Sequence, residues 1–138
     1  VILLNLQEKA YIAGIVDGEG TVTLTRRHKN ETPSPNVSIA NTNNELLVWI
    51  KNKIGCGVII KRTKQKPHHS NSYVFALYDR NALKLLADIK TFLIIKKPHA
   101  KLLLNHYKDS TPRNGRYTKK QIEMKMWLVS EIRKLNQR

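Results

Sequence analysis

The stretch Ile12-Ala13-Gly14-Ile15-Val16-Asp17-Gly18-Glu19-Gly20 decides how this chain is read. At about 100° per residue, the segment from Lys9 to Gly20 puts Tyr11, Ile12, Ile15 and Val16 on one half of a helix. Ala10, Ala13, Gly14 and Asp17 fall on the other half. A surface helix sets Lys and Glu opposite its bulky half. Here the opposite half holds small residues and one carboxylate. Such a face admits another backbone at close range. A mid-helix glycine such as Gly14 costs about 1 kcal/mol relative to alanine, which contact would have to offset. The wheel alone admits two readings: a helix buried wholly inside one domain, or a helix that meets another across its small face. The end of the segment favours the second. Asp17 and Glu19 are two of only ten acidic residues, and they stand where the helix dipole is negative, a placement a bound cation would relieve. Carboxylate and glycine carbonyl oxygens suit Mg²⁺, and an acid set among phosphate-binding cations is what metal-assisted phosphodiester hydrolysis requires; for the string alone, pairing of both acids with nearby lysines is the more ordinary reading.

Working outward, Leu6 to about Gly18 is predicted as the first helix, closed by Gly18 and Gly20. Thr21 to Lys29 alternates as a strand, with Val22 and Leu24 on one side. Asn30 to Asn36, with Pro33 and Pro35, is predicted as a turn, and Val37 to about Asn41 as a short strand. A helix over Glu45 to Ile54 follows, capped by Asn43 or Asn44 and stopped by Gly55 and Gly57. Val58 to Lys64 and Tyr73 to Tyr78 are strand-like around a polar turn at Pro67. Helices are then expected over Ala82 to about Lys90, from Pro98 to about Tyr107, and over Thr118 to Leu135. The last would bury Ile122, Met126, Val129 and Leu135, with Trp127 beside them in the core. Helix, two strands, helix, two strands, helix is the pattern of an α+β fold of αββαββα order, an antiparallel sheet with helices on one face and extra C-terminal helices. The whole, residues 1–138, is expected to be one domain.

Charge narrows the partner. Twenty-five Lys and Arg against ten Asp and Glu give a net charge of +15. A folded chain this basic points first to nucleic acid and second to an anionic membrane surface. The apolar runs, such as Phe92 to Ile95, are too short to span a bilayer. Cys56 is the single cysteine, so no internal disulfide and no Cys-rich zinc module is expected, and an intracellular setting follows.

The segment from Ile12 to Gly20 resembles the nine-residue signature of the LAGLIDADG homing endonucleases. Gly18 takes the place of its second alanine and Glu19 that of its second aspartate. The resemblance extends through the element order and the Phe92-Leu93-Ile94-Ile95-Lys96-Lys97-Pro98-His99 segment, to about Tyr107. It implies a site-specific double-strand DNA endonuclease that leaves 3′ overhangs and acts in an organelle or a prokaryotic cytoplasm. One copy of the signature implies a homodimer joined through Ala10, Ala13, Gly14 and Asp17. It also implies that Glu19, with the Gly18 carbonyl, binds Mg²⁺ or another divalent cation such as Mn²⁺, and that Asp17 ties down the helix. Lys96, or failing it Lys97, would stand near the scissile phosphate. Asn41 would take the family's polar position at the end of the second strand.

The sheet would then supply the DNA surface. With Val22, Leu24, Val37 and Ile39 inward, Thr23, Thr25, Arg27, Lys29 and Ser38 face out. Lys61, Arg62, Lys64 and Lys66, with Tyr73, are counted with that surface, although the run Val58-Ile59-Ile60 leaves the facing of their strand open and the pattern does not settle the register of Tyr73. A two-stranded ribbon of this kind fits the major groove, and a two-fold protein reads a pseudo-palindrome. The competing reading is a maturase of intron RNA, or a non-catalytic binder on the same scaffold. His68, His69, His99 and His106 lack partners at metal-ligand spacing and are left as ordinary polar residues.

Overall fold

The computed structural model describes residues 3–62 and 71–137. Helix α1 (Leu6–Glu19) opens with a capping box, in which the Asn5 side chain accepts from the Glu8 amide and the Glu8 side chain accepts from the Asn5 amide. The chain leaves α1 directly into strand β1 (Gly20–Thr25). Only glycine fits at that junction, because a Cβ on Gly20 would lie 2.8 Å from the Val16 carbonyl oxygen and 3.3 Å from that of Ser38. Strand β2 (Ser34–Asn41) returns antiparallel. Helix α2 (Asn44–Ile54) is capped by Asn43 and ends at Gly55, whose φ of 86° suits glycine. Strands β3 (Val58–Arg62) and β4 (Ser72–Tyr78) form the second antiparallel pair. Then come α3 (Asp79–Ile89), a single 3-10 turn (Lys90–Phe92), α4 (Lys97–His106) and α5 (Lys119–Asn136).

The four strands make one antiparallel sheet in the order β1-β2-β4-β3. Opposite Cα atoms fix its two faces. Val22, Val37 and Leu77 stand in one row, and Ile39, Phe75 and Ile59 in another. These rows face the helices, where they meet Ile12 and Val16 of α1, Leu47, Ile50 and Ile54 of α2, and Leu85, Leu86 and Ile89 of α3. The expected α+β architecture, with helices on one face of the sheet, is the one observed.

Several boundaries differ from expectation. β1 stops at Thr25, so Arg27 and Lys29 lie beyond the strand. β2 begins at Ser34, and Pro35 sits within it opposite Leu24, near the strand start where its missing N–H is tolerated. α5 is rotated relative to the expected stripe: Lys125, Leu128 and Ile132 are buried, while Met126 is 67% and Trp127 44% exposed. A lysine inside the apolar stripe moved the wheel by one position. Ala13 is fully buried in the core of its own chain, so it is not part of an open helix face. Tyr11 instead points outward, edge-on to Trp49 at 5.2 Å between ring centres.

Candidate active site and nucleic-acid interface

The two acidic residues at the end of α1 have opposite fates. The Asp17 carboxylate accepts backbone N–H bonds from Ile94 at 2.8 Å and Lys96 at 2.9 Å. It is therefore engaged within its own chain, holding the segment that leads into α4. Lys96 is the residue at the N-cap of α4, and this grip fixes its backbone to the turn that carries Glu19. Two residues along, roughly 200° around the helix, Glu19 is exposed. Its Oε2 accepts from the Asn41 Nδ2 at 2.6 Å, and the Asn41 Oδ1 accepts from the Asn43 amide at 2.8 Å. The register of Gly20 against Ile39 puts Asn41 at this end of the sheet, so the pair follows directly from strand pairing. Among the described residues Glu19 has no cation within ion-pair distance.

A divalent cation fits this end of the helix only if other ligands come to it. Among the described residues no group of three or more His, Cys, Asp or Glu side chains could hold a metal. One carboxylate, the neighbouring Gly18 carbonyl and phosphate oxygens make an ordinary Mg²⁺ ligand set. The exposed Glu19 and Gly18 leave room for such partners. Ala10 and Gly14 are exposed on the same helix, and a Cβ on Gly14 or Gly18 would meet nothing of this chain within 4 Å. These glycines are not required by the packing of their own chain.

The face of the sheet turned away from the helices carries Thr21, Thr23 and Thr25 of β1, then Asn36, Ser38 and Ala40 of β2. Across β4 and β3 it continues with Ser72, Val74, Ala76 and Tyr78, then Val58, Ile60 and Arg62. Thr23, Thr25 and Ser38 are therefore where the alternation put them, and Arg62, whose facing the pattern left open, is on that face as well. Tyr73 and Lys61 are not. They are paired with each other and with Asn41 in the inward row, and Tyr73 packs against the core. Lys61 is exposed at the end of its strand, on the helix side. Arg27 and Lys29 sit in the loop beyond β1, with the Arg27 guanidinium 4.3 Å over the Tyr78 ring. Lys64 and Lys66, with His68 and His69, lie outside the described residues.

Sequence reasoning missed Asn36, Tyr78, Val58 and Ile60 on the outward face. Extending the strict alternation of β2 two residues toward Ser34 would have found Asn36. Val58 and Ile60 gave no such signal, because they run together with Ile59 and alternation cannot tell their faces apart; they are 44% and 50% exposed. Away from this face, burial holds the His99 imidazole below its ordinary value of 6.5, against the opposing hydrogen bond to Asn136. Among the described residues no helix is long and apolar enough to cross a membrane.

No family model and no curated protein sequence matches the chain. Solved structures do. The homing endonuclease I-CvuI, in complex with its target in the presence of calcium, superposes with a TM-score of 0.75 at 18% identity, over 95% of this chain and 85% of that one. The archaeal intron-encoded homing endonuclease I-Vdi141I, complexed with DNA, gives 0.72 at 19% identity, over 96% and 86%. I-SmaMI, bound to an uncleaved DNA target with calcium ions, gives 0.69 at 20% identity, over 96% of this chain and 46% of that one. The chain has the fold of the homing endonucleases.

Proposed function

We propose that this chain is a single-domain, site-specific DNA endonuclease of the LAGLIDADG homing type, working as a homodimer with Mg²⁺ or a similar divalent cation. The observation that carries this reading is Glu19. It projects, with no cation in ion-pair distance among the described residues, from the end of a helix whose Ala10 and Gly14 are open and where a Cβ added at Gly14 or Gly18 would meet nothing of the described residues within 4 Å. Two copies joined along that opening would place two Glu19 carboxylates beside one another, supplying the ligands that one copy lacks. The match to 46% of I-SmaMI supports it, since a longer chain of this fold has room for two such units. The proteins of this fold named above were all solved on DNA, two of them with calcium.

In this reading the sheet holds the duplex and the end of α1 cuts it. β1 is six residues long, about 20 Å, so one outward face follows about six base-pair steps. A two-fold pair reads both half-sites of a pseudo-palindrome. Glu19 and the Gly18 carbonyl would hold the metal, which supplies an activated water and neutralises the leaving 3′ oxygen. Asn41 orients the Glu19 carboxylate through its 2.6 Å bond and is placed to steer a water. Lys96, its backbone gripped by Asp17, brings an ammonium toward the scissile phosphate. The net charge of +15 per copy draws the polyanion, so binding weakens steeply with salt.

The test is selection of cleaved sites from a randomised duplex library with Mg²⁺, alongside the Glu19→Gln variant. The reading expects metal-dependent recovery of one pseudo-palindromic site and no recovery with the variant. Undiminished cutting by Glu19→Gln would sink the assignment.

A further inference from the structure

The loop between β1 and β2, residues 26–33, carries Arg26, Arg27, His28 and Lys29 but has no regular structure of its own. What fixes it lies on the far side of a groove of about 990 Å³ between the loop and α5. There Lys125 is only 4% exposed, and among the described residues it forms no ion pair. Its Nζ donates to the Tyr117 Oη at 3.2 Å and sits 4.3 Å over the Tyr107 ring and 5.4 Å over the Tyr117 ring. The Tyr117 Oη in turn shares a hydrogen bond with the Thr32 Oγ1 at 2.8 Å, across 85 residues of sequence. Burial lowers the Lys125 pKa, against the bond to Tyr117. For Tyr117, burial acts to raise the pKa, but the bonds to Thr32 and Lys125 outweigh it and the net direction is down.

A lysine without a carboxylate is a poor choice for the buried stripe of a helix, where leucine or methionine would serve packing better. Besides facing the two rings, its ammonium has one hydrogen-bond partner among the described residues. It directs a hydrogen into the Tyr117 oxygen, so the phenol hydrogen is free for Thr32. We propose that Lys125 and Tyr117 are positioning residues for the 26–33 loop, clamping it through Thr32 so that its cations meet the outer part of the DNA site from a fixed start. The inference rests on the endonuclease reading for its purpose, but the clamp itself is a property of the free protein.

Both levels are tested with Tyr117→Phe and Thr32→Val, and with Thr32→Ser as the conservative rescue. Hydrogen exchange at the Glu31 amide, which donates to the His28 carbonyl within the loop, reports the clamp without DNA. Losing one hydrogen bond should speed that exchange about three- to tenfold in the first two variants, and Thr32→Ser should keep the protection. On target DNA the loss should fall on the half-saturating concentration rather than on the saturated rate, with mismatch tolerance rising only at the outer base pairs. Unchanged exchange in Tyr117→Phe and Thr32→Val overturns the clamp. So does a loss of discrimination spread evenly over the site. If the parent chain neither binds nor cuts DNA, the endonuclease reading fails and the exchange measurement still decides the clamp.

Discussion

The two hairpins of the sheet share a topology and differ in what they turn outward. β1 and β2 present Thr21, Thr23, Thr25, Asn36 and Ser38, a surface of hydroxyl and amide groups. β3 and β4 present Val58 and Ile60, with Arg62 and Ser72 at one end, while Val74 and Ala76 of the same face are buried. Their inward faces differ as well. The first hairpin grows directly out of α1 and carries Asn41 to Glu19, whereas the second contributes Phe75, the largest fully buried side chain. One sheet therefore divides its labour: the first pair adjoins the proposed metal site and offers hydrogen bonds, and the second anchors the core and offers the side chains of Val58 and Ile60. On duplex DNA those surfaces suit different partners, base-edge donors and acceptors for the first and thymine methyls for the second.

The largest effect should come from the turn that adjoins the first hairpin. Glu19→Gln keeps the shape and the bond to Asn41 but removes the charge that, on the proposed reading, would hold a cation. It is expected to slow cleavage by at least about a thousandfold while target affinity, measured by gel shift with calcium, stays near that of the parent. A parallel loss of affinity would mean the turn and the strands are not separable. Next comes the anchor. Phe75→Ala should destabilise the fold by about 3–5 kcal/mol, read as a fall in the denaturation midpoint. A small loss would deny the second hairpin its role in the core.

The outward positions come third. Asn36→Ala should cost about 1–3 kcal/mol of discrimination at one base pair of each half-site, and Ile60→Ser should cost less and act at a thymine. Binding to a full set of single-mismatch sites measures both. Equal and uniform losses for the two variants would erase the distinction between the hairpins.

The smallest effect is a pH dependence confined to the first hairpin. The Asn136 Nδ2 donates to the Val22 carbonyl of β1 while its Oδ1 faces the His99 ring at 2.9 Å. The folded chain resists protonating His99, whereas the unfolded chain protonates it near the ordinary value of 6.5. Stability from this group is thus complete above that value and declines as pH falls below it. Thermal midpoints across pH 5 to about 8 should show a decline that His99→Gln flattens.

What the sequence made legible follows the same division. The end of α1, the Glu19 position and the alternation of β1 were readable, because small residues, acids and threonines in regular order leave few physical options. The second hairpin was not. Val58, Ile59 and Ile60 are apolar on both faces, so alternation carried no sign and left the facing of Lys61 and Tyr73 open; both lie in the row on the helix side. α5 misled for a related reason. Lys125 is buried by its partners Tyr107 and Tyr117, which are distant in sequence, so no wheel could place it inward. Ala13 failed in the opposite way, since alanine suits a core and an open face equally well.

The hold of Asp17 on the amides of Ile94 and Lys96 makes the length of the peptide that follows it matter more than its composition. With one carboxylate moored, the next is aimed by counting residues. Deleting Gly18 would swing the glutamate by about 100°, onto the exposed position that Gly18 now holds, and no change of side chain could aim it back.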